Sequence, residues 1–147
     1  MRFAFLIFKY FPFGGMQRDM LRIAQRLADT GHEVEIFTMQ WQGDKPQGNI
    51  TVHVLPSQGL TNIRRYQSFL DKVQGQIEQR ANSNTAFDLV LGFNRAKWLD
   101  VYFGADPCFK ERAYTQRPFL YRLTPRYRWF AACERAIFSE DSDTDIL

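Results

Sequence analysis

Residues 3–8, Phe-Ala-Phe-Leu-Ile-Phe, form an apolar run with no polar interruption. A strand with one wet face alternates polar and apolar residues, whereas this one needs cover on both faces, as in a parallel sheet. Lys9-Tyr10-Phe11-Pro12 closes the run, and Gly14-Gly15 follow. Residues 16–30 then carry Met20, Ile23, Ala24, Leu27 and Ala28 at helical spacing and stop before Gly31, a residue suited to the position after a helix. Residues 34–38 (VEIFT) read as a second strand. Strand, helix and strand in that order make a βαβ unit, whose crossover is expected to be right-handed.

The alternation continues. A polar stretch, 42–49, leads to a third strand over 50–55, closed by Pro56. Residues 63–81 place Phe69, Leu70, Val73 and Ile77 on one helical face. Residues 87–92 (FDLVLG) are a fourth strand and 99–103 (LDVYF) a fifth. Residues 109–138 read as helical, broken at Pro118 and Pro125. The final residues, 144–147, read as the opening of another strand, so the chain is expected to be part of something longer. The expected architecture is a Rossmann-like three-layer α/β domain with a mostly parallel sheet.

At 147 residues there is room for one domain. Hydrophobic residues at 45% and charged residues at 24% are those of an ordinary globular chain, and a formal net charge of +3 gives no nucleic-acid signature. Cys108 and Cys133 lack the spacing of metal ligands, and two cysteines are too few for a secreted disulfide scaffold; they read as free thiols in a reducing compartment. The apolar start is too short for a signal-peptide core or a membrane span.

Three segments carry chemistry. In KYFPFGGMQRDM, two glycines let a ligand approach the backbone, and the following helix offers unpaired N–H groups and the positive end of its dipole. That suits a phosphate or a sugar hydroxyl, placed where open α/β sheets bind ligands. A tight turn needing glycine only for its dihedrals would look the same. Asp19 falls in the first turn of that helix, where an acid also stabilises the dipole. A dinucleotide site fits poorly, because G-x-G-x-x-G is absent and no acid follows the second strand. In GFNRAKWLDVYFGAD, two strand ends deliver Asn94 and Asp106 to the same edge, where a sugar pocket needs placed polar groups. Asp106 would equally cap a helix beginning at Pro107.

The third segment alternates Arg117, Arg122, Arg126, Arg128 and Arg135 with Phe119, Tyr121, Tyr127, Trp129 and Phe130. Residues 109–135 hold seven Lys/Arg against two Glu, while 140–145 hold four acids and no base. An interfacial element on anionic lipid has this pattern. So does a buried helix flanked by snorkelling arginines, and so does a single-stranded RNA surface.

KYFPFGGMQRD resembles the opening of the lipopolysaccharide-core glucosyltransferases of glycosyltransferase family 4. The resemblance continues through GHEVEIFT, LGFNRAKWLDVYFGADPCF and PFLYRLTPRYRWFAACERAIF, in order, and is weakest over 51–84. It implies the amino-terminal, acceptor-side half of a GT-B fold, with a carboxy-terminal donor-binding domain outside these residues. It implies retaining transfer of glucose from UDP-glucose to an inner-core heptose of lipopolysaccharide, at the cytoplasmic face of the inner membrane of a Gram-negative bacterium. UDP-glucose is then the donor substrate, and neither a cofactor nor a metal ion is required.

Carried onto this sequence, Gly14 and Gly15 match the loop that approaches the donor phosphates and sugar. Asp19 matches an acid of the active-site cleft, and Asp106 the pocket acid where many relatives carry a histidine; both are candidate catalytic residues. Arg18 and Asn94 belong to the substrate pocket. Arg117, Tyr121, Arg122, Arg126, Tyr127, Arg128 and Trp129 match the patch that docks the family on anionic membrane, with no nucleic-acid partner. Arg95-Ala96-Lys97-Trp98 replaces a usual Lys-Met-Pro-Gly, which bears on acceptor preference. The alternatives are a non-catalytic membrane-binding module and a family 4 enzyme with another donor or acceptor. No pattern in the sequence speaks to oligomeric state.

Overall fold

The computed structural model describes residues 1–105 and 107–147. The apolar opening run becomes β1 (Arg2–Leu6), followed by a two-residue β2 (Lys9–Tyr10), α1 (Gly15–Asp29), β3 (Glu33–Thr38) and a two-residue β4 (Gln40–Trp41). Then come β5 (Ile50–Val54), α2 (Asn62–Arg80), β6 (Leu89–Gly92) and β7 (Val101–Tyr102). The carboxy-terminal part holds α3 (Phe109–Gln116), a 3-10 turn (Phe119–Leu123), α4 (Pro125–Phe138) and β8 (Asp145–Ile146).

Six strands form one sheet in the order β5-β3-β1-β6-β7-β8, and each of its ladders is parallel. Within the ladders Phe5 lies beside Ile36 on one side and Leu91 on the other. The reason for the unbroken apolar run is visible in how β1 is covered. Phe3 and Phe5 join one buried cluster with Met20 and Ala24 of α1, while Ala4 and Leu6 join another with Phe69, Leu70 and Val73 of α2 and Ile137 of α4. Three layers result, with α1 on one face of the sheet and α2 with α4 on the other. Burying each of these Phe or Leu side chains contributes roughly 1.5–3 kcal/mol before the chain entropy is offset.

The helix starts are locally encoded. Thr61 Oγ1 accepts the Arg64 N–H at 3.3 Å to cap α2, and Thr124 Oγ1 accepts the Tyr127 N–H at 3.2 Å to cap α4, with Pro125 at its first helical position. The break expected at Pro118 separates α3 from the 3-10 turn. The closing residues do form a strand, with Tyr102 beside Ile146 in the register of β7 and β8. No helix among the described residues is long and apolar enough to cross a membrane.

Candidate functional site at the carboxyl edge of the sheet

The loop after β1 is held above the carboxyl edge by an element that periodicity does not reveal. β2 pairs with β4 in a separate two-stranded parallel ladder, Lys9 beside Gln40 and Tyr10 beside Trp41. The Tyr10 and Trp41 rings stack with centroids 3.8 Å apart, a contact worth about 0.5–1.5 kcal/mol beyond area burial. Thr38 Oγ1 donates towards the Phe8 and Gln40 carbonyls and fastens the two strands where they leave the main sheet. The platform therefore fixes where the glycine pair sits.

Neither glycine is there for its dihedrals. Gly14, the residue before the helix, has φ −81° and ψ 139°, and Gly15 is absent from the positive-φ glycines. Gly14 answers instead to packing: a Cβ there would fall on the Gln17 carboxamide and 2.8 Å from Phe11 Cε2. Gln17 is buried and donates its Nε2 to the Lys9 carbonyl at 3.3 Å. Gly15 is different, because a Cβ there would meet nothing within 4 Å. No side chain caps α1, and the N–H groups of Gly15, Met16 and Gln17 have no acceptor among the described residues, while Arg18 N–H donates to the Gly14 carbonyl at 3.0 Å. Phe13, just before this opening, is 91% exposed. An aromatic between Pro12 and Gly14-Gly15 belongs to neither strand nor helix, and that was the signal by which the sequence could have flagged it.

The expected position of Asp19 needs correction. α1 begins at Gly15, so no acid lies in its first turn and Asp19 falls just past it, half-exposed, 3.8 Å from Arg22. Arg18 is exposed on the same turn. Asn94 does reach the carboxyl edge: its Oδ1 accepts the Phe8 N–H at 2.7 Å, tying the end of β1 to the end of β6. Asp106 lies outside the described residues. The helix expected from Pro107 begins at Phe109 after Cys108, and its first N–H groups go to a remote carboxylate, Glu134 of α4.

The arginine and aromatic stretch divides into inward and outward parts. Trp129 packs against the second buried cluster, its ring stacked 6.1 Å from Tyr66. Tyr127 lies between Phe109 and Tyr121, and the Arg122 guanidinium sits 3.6 Å from the Tyr114 ring centroid. Arg117, Arg126 and Arg128 are exposed, as are Phe119, Leu120 and Leu123, at 68%, 71% and 57%. The 3-10 turn thus holds out an apolar ridge beside exposed cations. Arg95 turns inward: its Nη2 donates to the Pro107 carbonyl at 2.9 Å and stands 3.7 Å from Glu134.

The model of Glycosyltransferase Family 4 matches residues 13–143. The chain is 42% identical over 144 residues to the lipopolysaccharide glucosyltransferase WaaG of Escherichia coli (strain K12). The crystal structure of WaaG, a glycosyltransferase involved in lipopolysaccharide biosynthesis, superposes with a TM-score of 0.89 at 42% identity. Both comparisons cover 98% of this chain and 37% of the relative, so the chain spans little more than a third of that protein's length. The α/β architecture matches the amino-terminal half of the WaaG GT-B fold. With residues 13–143 matched by the family's model, the chain belongs to glycosyltransferase family 4.

Proposed function

We propose that this chain is the acceptor-side domain of a retaining glucosyltransferase that moves glucose from UDP-glucose to an inner-core heptose of lipopolysaccharide. The single observation that carries the reading is likeness to WaaG along 98% of the chain, with the open start of α1 placed at the carboxyl edge. In this reading the sugar–phosphate bond of the donor breaks as the new glycosidic bond forms, and charge develops on the sugar and on the leaving UDP. On the same reading the N–H groups at the start of α1 donate to the oxyanion of the leaving UDP, and such preorganised donors supply much of a rate enhancement. Gly15 leaves the space for that approach. Asp19 and Arg18 orient hydroxyls from α1, and Asn94 from the far side of β1; Asp106 belongs to the same proposed pocket. No catalytic nucleophile is assigned, and the reaction needs no cofactor or metal ion.

A lipid-linked acceptor also explains the outward part of the 119–130 region. Phe119, Leu120 and Leu123 would enter the head-group layer of an anionic membrane, with Arg117, Arg122, Arg126 and Arg128 at phosphate depth and Tyr121 and Tyr127 supporting them. The enzyme would then work as a peripheral protein at the cytoplasmic face of the inner membrane. The proposal is tested by placing this chain where its matching segment stands in E. coli WaaG and expressing the hybrid in cells lacking WaaG. Restored glucose on the inner core is the expected result; a core still ending before that glucose, with the hybrid folded and abundant, contradicts it.

A further inference from the structure

Phe13 is 91% exposed, more than any other aromatic side chain among the described residues. A singly exposed apolar side chain is ordinary; one whose place is fixed by its backbone is not. The Phe11 carbonyl accepts the Gly14 N–H at 3.4 Å, so Pro12 and Phe13 are the two central residues of a tight turn. Pro12 at the second position and Gly14 at the fourth suit such a turn, whereas a large aromatic at the third does nothing for it. Both flanks of the turn are held. Buried Tyr10 stacks on Trp41, and buried Gln17 donates its Nε2 to the Lys9 carbonyl. The Phe11 ring lies back against Gly14, its Cε2 2.8 Å from where a Cβ would stand, while Phe13 points out into solvent.

Folding makes no use of this ring, and its setting fits one kind of occupant. It precedes Gly15 at the carboxyl edge, where ligands reach an open α/β sheet. Exposed Lys9 and Arg18 flank the turn in the chain. A lone ring amid cations and glycines is far smaller than a protein partner needs, about 800 Å2 on each side. It matches a single sugar ring. A pyranose carries a patch of C–H groups on one face and hydroxyls round its rim. The electron-rich face of an aromatic ring attracts those C–H groups and takes the patch out of water. The rim is left to polar side chains and backbone N–H groups. A phenyl ring on a preset turn has little freedom to lose, so the stack costs little ordering. We propose that Phe13 binds the acceptor by stacking its ring on the C–H face of the acceptor sugar. The inference rests on the acceptor-side reading for the identity of that sugar and adds the residue against which it lies.

The test is calorimetric titration of the WaaG hybrid with a heptose-terminated core oligosaccharide, without donor so that nothing turns over. Phe13→Ala and Phe13→Leu should each weaken binding at least about tenfold, the second because it keeps apolar bulk and loses the flat face. Phe13→Tyr keeps the face and should stay within about twofold of the parent. All three should melt with the parent, because the side chain is exposed, and affinity for UDP-glucose should not change. In turnover the stack holds ground and transition states alike. The acceptor KM of Phe13→Ala should therefore rise at least about tenfold while kcat holds.

Parent affinity in Phe13→Ala or Phe13→Leu overturns the stack, and so does a Phe13→Tyr variant as weak as Phe13→Ala. A loss shared by UDP-glucose puts the ring at the donor and overturns it too. A lower melting temperature in Phe13→Ala with acceptor binding intact assigns the ring to a contact with the rest of the enzyme, against the proposal. A folded parent hybrid with no saturable acceptor binding also overturns it. Phe13-dependent binding by a hybrid that transfers no glucose keeps the stacking residue and removes the glucosyl-transfer reading. Glucose transfer with an acceptor KM indifferent to Phe13→Ala removes only the stacking residue.

Discussion

The Arg95 guanidinium stands 3.7 Å from the Glu134 carboxylate, with the two side chains only 9% and 5% exposed. The same carboxylate accepts the N–H groups that open α3, at 2.5 Å from Phe109 and 3.0 Å from Lys110. One buried acid thus joins the loop after β6, the start of α3 and the body of α4. Glu134→Ala removes the acceptor of the Phe109 and Lys110 N–H groups and is expected to destabilise the chain by about 1–3 kcal/mol. Glu134→Gln retains an acceptor and should lose less. Denaturant unfolding of the two variants checks this, and an equal, small loss in both would show the network to be incidental.

The two adjacent glycines should respond in opposite directions. Gly14→Ala displaces the Gln17 carboxamide from its buried seat and breaks its bond to Lys9, at about 1–2 kcal/mol. Gly15→Ala meets open space at a helical position and should stabilise by roughly 0.4–1 kcal/mol through the unfolded chain. If the donor approaches there, Gly15→Ala in the WaaG hybrid raises the melting temperature while lowering glucose transfer. A variant both more stable and fully active would remove Gly15 from the site.

Membrane docking separates the outward residues from the inward one. Leu120→Asp should abolish most binding to anionic vesicles, and Arg128→Gln should weaken it about fivefold, near 1 kcal/mol per cation at the surface. Binding should fall as salt rises. Trp129→Leu, at a ring packed against the buried cluster, should lower stability and leave vesicle affinity unchanged. Equal binding to neutral vesicles contradicts the docking surface.

Burial pushes the Cys133 thiol up from its ordinary value, more strongly than nearby Lys97 and Arg95 draw it down. The folded state holds that proton more tightly than the unfolded chain, so the stability it contributes is present below the unfolded thiol pKa, about 8.5, and is lost as pH rises above it. The melting temperature of the parent should therefore fall more steeply above about pH 8.5 than that of Cys133→Ala. Exposed Cys108 should be alkylated at once in the native state and Cys133 only on unfolding.

The strands and helices were legible because burial on two faces or one leaves a periodicity that the sequence must carry. Residues 3–8 announced β1, and Phe69, Leu70 and Val73 announced α2. The short ladder of β2 and β4 was not legible, since two residues cannot show a period. The seat of Gly14 was hidden for a related reason: it depends on a side-chain contact with Gln17, whereas the pattern suggested a dihedral requirement. Asp19 was placed in the first turn because the glycine pair left the helix start ambiguous by a residue. The capping of α3 by Glu134 was out of reach, as its partners stand 24 and 25 residues away in the chain.

The most direct test of the central claim is glucose transfer by the purified WaaG hybrid, followed with radiolabelled UDP-glucose and a heptose-terminated core acceptor. The account predicts transfer by the parent hybrid. It also predicts a fall of at least about tenfold in Asp19→Asn, with almost no change in melting temperature, because the exposed pair with Arg22 contributes at most about 1 kcal/mol. A folded hybrid that binds anionic vesicles and moves no glucose would contradict the account and leave a membrane-docking domain.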